Sequence, residues 1–152
     1  VNLRQFLEQR IRHRTGVVRD VAGHAVGQHP GVWYYTIGQR QGLNLGGGPP
    51  YYVAAKNVRT NTLVVAPQRS HPALYRRRVR VPRVHWINGA PVLPQGCRAQ
   101  LRSQQPAERC TVHRHGRGVA LAFEQPQFAV TPGQLAVVYA GNRVLGSGAI
   151  AQ

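Results

Sequence analysis

Short runs of β-branched and aromatic residues recur at even spacing through the second half of the chain, with turn residues between them. Pairs such as Asn88-Gly89 and Pro132-Gly133 are typical turn signals. Evenly spaced short strands predict a small barrel or sandwich, and we expect a β-barrel over residues 76–152. The predicted strands are Val84–Ile87, Cys97–Ser103, Arg109–His113, Val119–Phe123, Leu135–Tyr139 and Val144–Ile150.

The first half of the chain has a different pattern. Leu3, Phe6, Leu7 and Ile11 fall on one face of a predicted helix over Asn2–Arg14. The helical period then disappears, and four short strands are predicted at Val17–Val18, Val32–Ile37, Tyr51–Ala55 and Leu63–Ala66, the last two forming a hairpin around Arg59–Asn61.

The predicted fold class is therefore mostly β, with a domain boundary near Tyr75. A short N-terminal helix and a small β domain make up residues 1–75, and a C-terminal β-barrel makes up residues 76–152.

The charge balance constrains the partner. Lys and Arg number 20 against 4 Asp and Glu, which gives a net charge of +16, and every basic residue except Lys56 is an Arg. Unpaired cations at this density repel one another unless a polyanion neutralises them. The planar fork of Arg fits phosphate well. Charge therefore predicts a nucleic-acid partner, with an acidic protein and an anionic membrane as the alternatives.

The arginines fall into two groups. The run YRRRVRVPRVHWI alternates arginines with valines, which predicts a strand with one polar face, and Pro82 places that strand at a sheet edge or ends it. We expect phosphate contact from both groups in preference to a merely solvated face. The first group is Arg76, Arg77, Arg78, Arg80 and Arg83, and the second, on the hairpin 97–117, is Arg98, Arg102, Arg109, Arg114 and Arg117.

The glycine-rich loop GQRQGLNLGGGPP does not have the pattern of a nucleotide site. It contains no Gly-Lys pair, and its three consecutive glycines precede two prolines and a strand instead of a helix. Gln39 and Arg40 stand between Gly38 and Gly42, where glycine lets the backbone approach a partner closely. These two residues are candidates for contact with RNA phosphate or with a neighbouring domain.

Acidic residues, cysteines and histidines form no recognisable catalytic or metal-binding pattern. On a strand, Cys110 points away from the face that His113 and His115 share, so no zinc site is predicted. Cys97 and Cys110 are expected to be reduced, small core thiols in neighbouring strands of an intracellular protein. The four acids are scattered: Glu8, Asp20, Glu108 and Glu124.

The sequence neither begins with Met nor contains one, and its start has no signal-peptide pattern. No apolar run approaches the roughly 18 residues that a membrane helix needs. We therefore expect a piece of a longer protein, with no membrane among its partners.

Seven segments carry a resemblance to a known family. They are YYTIGQRQGL, PPYYVAAKN, HPALYR, RVHWI, the Cys97–Cys110 hairpin, FAVTPGQLAVVY and LGSGAI. In this order they resemble the C-terminal half of the tRNA-specific 2-thiouridylases, which are tRNA-uridine 2-sulfurtransferases. The resemblance covers nearly the whole chain.

The resemblance implies a parent enzyme with an N-terminal ATP-pyrophosphatase-type domain, a central domain and a C-terminal β-barrel. Such enzymes activate the wobble uridine of certain tRNAs with ATP and Mg²⁺, and install sulfur carried as a cysteine persulfide. The ATP loop and the catalytic cysteines belong to the N-terminal part. This chain is accordingly expected to begin just after the second of those cysteines and to hold no catalytic residue, cofactor or metal. The implied partners are tRNA, the parent's N-terminal catalytic domain and a sulfur-carrier protein.

The resemblance also implies site residues. A basic–aromatic pair on the barrel hairpin contacts tRNA in the family; Arg102 matches the basic member, and Ser103 stands where Tyr is usual. Gln134 matches the Gln of the TPGQ turn, another tRNA contact. GQRQGL is a family motif of the central domain and faces the catalytic region. The high positive charge departs from the usual family barrel.

A stand-alone RNA-binding β-barrel module without catalytic activity is the main alternative, and a scaffold that recruits an acidic sulfur-carrier protein is a third. An S-G-G-x-D-S-type ATP loop and a cysteine upstream of Val1 would support the enzyme, and a start codon there would favour the module. The expected location is the cytoplasm of a bacterium or the mitochondrial matrix of a eukaryote.

Overall fold

The computed structural model describes residues 14–46 and 48–151, and its regular elements are strands with two short 3₁₀ turns. Two compact units divide the chain, Val1–Leu74 and Tyr75–Gln152. The described residues contain no α-helix. The helix predicted over Asn2–Arg14 lies, apart from Arg14, outside those residues.

Four strands form the sheet of the first unit, in the order β2-β1-β4-β3. β1 pairs antiparallel with β2 and parallel with β4, and β3 and β4 form an antiparallel hairpin, as predicted. The side chains of Val18, Leu63 and Val65 are fully buried in its core. The strands are β1 (Gly16–Asp20), β2 (Ala25–His29), β3 (Tyr51–Asn57) and β4 (Thr62–Pro67).

The strand predicted at Val32–Ile37 is wrong. Val32–Tyr34 forms a 3₁₀ turn, in which Tyr35 N donates to Val32 O (3.3 Å). Val32 and Tyr35 are the buried residues of this segment. Their spacing of three matches a 3₁₀ period and not the period of two that a half-buried strand requires.

A buried polar pair, His29 and Asn61, links the end of β2 to the residue before β4. The Nε2 atom of His29 lies 3.2 Å from Asn61 O, and its Nδ1 accepts from Gly31 N at 3.0 Å. Nδ1 accepts and Nε2 donates, so the ring is neutral. Burial lowers the pKa of His29, against the opposing effect of these hydrogen bonds. The Asn61 side chain accepts from Val32 N (3.2 Å) and donates to Arg14 O (2.7 Å).

Seven strands form the sheet of the second unit, in the order β5-β9-β8-β7-β10-β11-β6, and every neighbouring pair is antiparallel. Each predicted strand of this half is present, with bounds that differ by a few residues. The strands are β5 (Tyr75–Val81), β6 (His85–Trp86), β7 (Gln95–Gln100), β8 (Glu108–His115), β9 (Gly118–Phe128), β10 (Leu135–Ala140) and β11 (Arg143–Ala149).

This sheet curls into a half-barrel. Ala151 N donates to Arg80 O (2.9 Å), which joins the chain after β11 to the edge strand β5. A Cβ at Gly148 would collide with Arg83 O, so glycine permits the close approach that the curl requires. Alternate side chains of the strands fill the interior, among them the buried Val112 and Leu121.

No helix among the described residues is long and apolar enough to cross a bilayer.

Candidate nucleic-acid interface

Strand β5 presents its arginines to solvent. Val79 and Val81 are buried on the inner face, while Arg78 and Arg80 are exposed, which confirms the predicted alternation. The strand ends at Val81, directly before the proline, and is an edge of the sheet, also as predicted. Arg76 and Arg77 are likewise exposed; Arg77 Nη1 donates to Glu124 O (2.6 Å).

Small side chains lie beside this row of arginines. Across the β5–β9 pair, Arg78 is opposite Ala122 and Arg80 is opposite Ala120. The next strand, β8, places His113 opposite Ala120. The side chains of the outer face are therefore short at the alanines, and the border of the face is basic. An extended phosphate backbone can approach the guanidinium groups across the alanines.

A second pair of arginines stands on the β7–β8 hairpin. Arg98 and Arg109 are directly opposite each other and both are exposed. Like charges in this position repel each other. Arg98 Nε donates to Ala107 O (3.1 Å), which holds its side chain toward the loop that joins the two strands.

That loop forms one end of the sheet together with the segment that follows β9. We call residues 101–107 and 129–134 the loop surface. Gln100 shapes it: Nε2 donates to Gln105 O (2.6 Å) and to Ser103 O (3.3 Å), and Oε1 accepts from Tyr139 OH (3.2 Å). Sequence reasoning missed Gln100, because a contact from a side chain to a loop backbone leaves no periodic signal.

Arg102 joins the two segments of the loop surface. Its Nη2 donates to Ala129 O, which also accepts from Thr131 Oγ1 (3.0 Å). Arg102 is half-buried, and Ser103 and Gln134 are exposed. The structure therefore brings the three predicted tRNA-contact residues to one end of the sheet. The bond from Arg102 to Ala129 O also holds the segment that leads to Gln134.

The glycine-rich loop lies in the first unit and is organised by Gln39. Val53 N donates to Gln39 O (2.9 Å), the Gln39 Oε1 accepts from Thr36 N (2.9 Å), and its Nε2 donates to Gln41 O (2.8 Å). The Gln39 amide is thus occupied within the loop. Arg40 is exposed.

Cys97 and Cys110 are directly opposite each other on neighbouring strands, which confirms that prediction. No disulfide joins them; Cys110 is buried and Cys97 is half-buried. A hydrogen bond from the Cys110 thiol lowers the pKa of Cys97, and the same bond together with burial raises the pKa of Cys110. Within the described ranges, no group of three or more His, Cys, Asp or Glu residues is arranged to hold a metal.

Two family models match the chain, one in each unit. Residues 4–67 match the tRNA methyl transferase PRC-barrel domain. Residues 76–150 match the aminomethyltransferase β-barrel domain.

Relatives match across both units. The chain is 44% identical, over 157 aligned positions, to the tRNA-specific 2-thiouridylase MnmA of Xanthomonas axonopodis pv. citri and to that of Xanthomonas oryzae pv. oryzae. It is 43% identical to that of Xylella fastidiosa. These alignments cover 99% of this chain but only 42%, 42% and 41% of the relatives' lengths. The chain therefore belongs to the tRNA-specific 2-thiouridylase family and spans about two fifths of the length of these members.

Proposed function

We propose that the chain is the tRNA-binding part of an enzyme that 2-thiolates the wobble uridine of tRNA, using ATP and a cysteine persulfide. The observation that carries this proposal is the 44% identity to a tRNA-specific 2-thiouridylase across 99% of the chain. The activity of the whole enzyme requires the remainder of the parent, because the match covers 42% of that relative.

The charge supports the binding role. With a net charge of +16, the chain attracts a polyanion. The exposed arginines of β5 and the loop surface supply donors for phosphate oxygens, which fix position and orientation but do not read sequence. In this proposal the second unit holds the tRNA while the catalytic domain acts on the uridine.

ATP and Mg²⁺ belong, in this proposal, to the N-terminal catalytic domain. The chain has no Gly-Lys pair for a phosphate loop, and its described residues offer no cluster of carboxylates for Mg²⁺. No catalytic step is therefore assigned to these two units. The exposed Arg40 is proposed to contact the catalytic domain, and a sulfur-carrier protein is a further proposed partner. The relatives described above are bacterial, which favours the bacterial cytoplasm over the mitochondrial matrix.

Titration of labelled tRNA with the 152-residue chain at several salt concentrations tests the proposal. If about five phosphates are neutralised, the logarithm of affinity should fall with the logarithm of salt concentration with a slope of about −4. Arg102→Ala should weaken binding by about 1–2 kcal/mol, as expected for loss of a charge-assisted contact. Gln134→Ala should cost about half as much, because its hydrogen bond is neutral.

Two variants control these substitutions. Arg143→Ala removes an exposed charge from the β10–β11 turn, and Gln125→Ala removes an exposed amide from β9. Thermal unfolding of Arg102→Ala separates a lost contact from a loosened loop surface, since only the latter lowers the melting temperature. Salt-insensitive binding, with Arg102→Ala equal to Arg143→Ala, would overturn the proposed role of this unit.

A further inference from the structure

A concave basic surface lies at the opposite end of β8 from residues 101–107 of the loop surface. It is a cleft of about 480 Å³, and four basic side chains line it: Arg80, Arg83, His115 and Arg117. We call it the arginine cleft. β8 has eight residues, so at about 3.3 Å per residue the cleft is roughly 23 Å along that strand from residues 101–107. Ala151, which also lines the cleft, follows Ile150, whose backbone bonds to Gly133 N and Gln134 O, so the cleft adjoins the other segment of the loop surface.

Close backbone packing creates the cleft. Val81 pairs with Val119 in the β5–β9 ladder, which brings the end of β5 beside the β8–β9 turn. A Cβ at Gly118 would collide with Val81 O and with the Pro82 backbone. Because glycine occupies this position, the turn lies against the chain that leaves β5, and Arg117 of the turn lines the same cleft as Arg83.

The charge of the cleft points to an anionic ligand. None of the described residues that line it is an Asp or a Glu. Arg83, His115 and Arg117 are all exposed, and each comes from a turn or a strand end and not from the packed core. A concave wall of like charge raises the local concentration of counter-ions and focuses the field on them. Planar guanidinium groups are well suited to phosphate oxygens.

The neighbouring outer face favours an extended anion over a small one. Arg80 lines the cleft and, with Arg78, also belongs to the exposed row of β5 that borders Ala120 and Ala122. A single free phosphate needs only the cleft, whereas a chain of phosphates can continue along this row. We propose that the arginine cleft binds backbone phosphates of the tRNA, as a second contact made by side chains other than those of the loop surface; this inference rests on the proposed function.

The double variant Arg83→Ala/Arg117→Ala tests the assignment in the same tRNA titration. We expect affinity to fall about 30-fold near 0.1 M salt and the log–log salt slope to become less steep by about 2, since each lost phosphate contact contributes about 0.9. Arg143→Ala, which lowers the charge without touching the cleft, should change affinity less than about 3-fold. The double variant Arg83→Gln/Arg117→Gln keeps more side-chain volume and replaces the first if that variant unfolds.

The outcomes separate this inference from the proposed function. If the wild-type chain does not bind tRNA, both fail. If it binds with a dependence on Arg102, but the double variant matches Arg143→Ala, only the arginine cleft is overturned. Calorimetry with inorganic pyrophosphate at matched ionic strength tests the other source of phosphate. Saturable pyrophosphate binding that the double variant loses, with unchanged tRNA affinity, would make this a free-phosphate site and contradict the RNA assignment.

Discussion

The two units have cores of different chemistry. In the first, the buried side chains include two polar residues, His29 and Asn61. The His29 ring bonds to the backbone of Asn61 and Gly31, and the Asn61 amide bonds to the backbone of Val32 and Arg14. In the second, the buried residues of the described core are apolar apart from the Cys110 thiol. The polar groups of the second unit lie outside, in the arginines of β5 and at the loop surface.

This difference indicates which positions in each unit tolerate substitution. The first unit adds to its apolar core hydrogen bonds between segments that are far apart in sequence, so one polar substitution disturbs several of them. The second unit depends on apolar packing, so its exposed arginines can be replaced without loss of the fold. A surface that tolerates substitution is suited to a binding role, and this is where we place the RNA contacts.

The largest expected effect is on the apolar core of the second unit. Leu121 has no exposed surface, and Leu121→Ala should lower the free energy of unfolding by about 3 kcal/mol, because the substitution leaves a cavity. Leu135 lies in the same sheet and is 59% exposed, so Leu135→Ala should cost far less. Denaturant unfolding of both variants measures the difference, and equal losses would contradict the packing described here.

Asn61→Ala tests the polar core of the first unit. The substitution leaves the Val32 N–H and the Arg14 carbonyl without their partner and places Ala at a φ of 50°, so we expect a loss of about 2 kcal/mol. Asn57→Ala is the matched control, since Asn57 makes one exposed hydrogen bond, to Thr60 N. If urea unfolding shows equal stability for the two variants, the hydrogen bonds of the Asn61 amide do not stabilise this unit.

A smaller effect concerns pH. Burial lowers the pKa of His29 in the folded chain, so between that value and about 6.5 the unfolded chain binds more protons. Stability should therefore be full above about pH 7 and fall as the pH drops toward 5. His29→Gln should flatten this dependence, and His113→Gln, which changes an exposed ring, should leave it unchanged. Unfolding midpoints between pH 5 and 8 check the slopes; identical slopes for wild type and His29→Gln would contradict the assignment.

The smallest effect is one of reactivity and leaves stability unchanged. Cys97 is half-buried with a lowered pKa, whereas Cys110 is buried with a raised pKa. Because the thiolate is the reactive form, an alkylating reagent should label Cys97 first. Mass spectrometry of partly labelled native protein identifies the modified residue. Equal labelling, or labelling of Cys110 first, would show that the thiol pair is arranged differently.

The sequence predicted the strands of the second unit because their alternation reflects one buried and one solvated face. Val79 and Val81 against Arg78 and Arg80 are the clearest case. The same reasoning failed at Val32–Ile37, where aromatic residues favour strands but the burial period is three. β2 was not predicted, because its sequence, AVGQH, alternates only weakly between apolar and polar residues. The segment is a strand because it pairs with β1.

The candidate site was only partly predictable. Exposure of Arg78 and Arg80 follows from the strand alternation. Exposure of Arg77 between Arg76 and Arg78 does not, because an irregularity in the β5–β9 register interrupts the alternation there. Arg102, Ser103 and Gln134 were identified by resemblance alone. That Arg102 bonds to Ala129 O could not be predicted, because it joins residues 27 positions apart through a backbone carbonyl. The arginine cleft likewise depends on the packing of Gly118 against β5, which has no signature in a linear sequence.

Hydrogen–deuterium exchange of the 152-residue chain, with and without saturating tRNA, tests most directly whether the second unit carries the RNA contacts. We expect bound tRNA to slow exchange in the loop surface, residues 101–107 and 129–134. The β3–β4 turn of the first unit, residues 58–61, should exchange at the same rate in both samples. Protection confined to the first unit, or no change at the loop surface under saturating tRNA, would contradict this assignment.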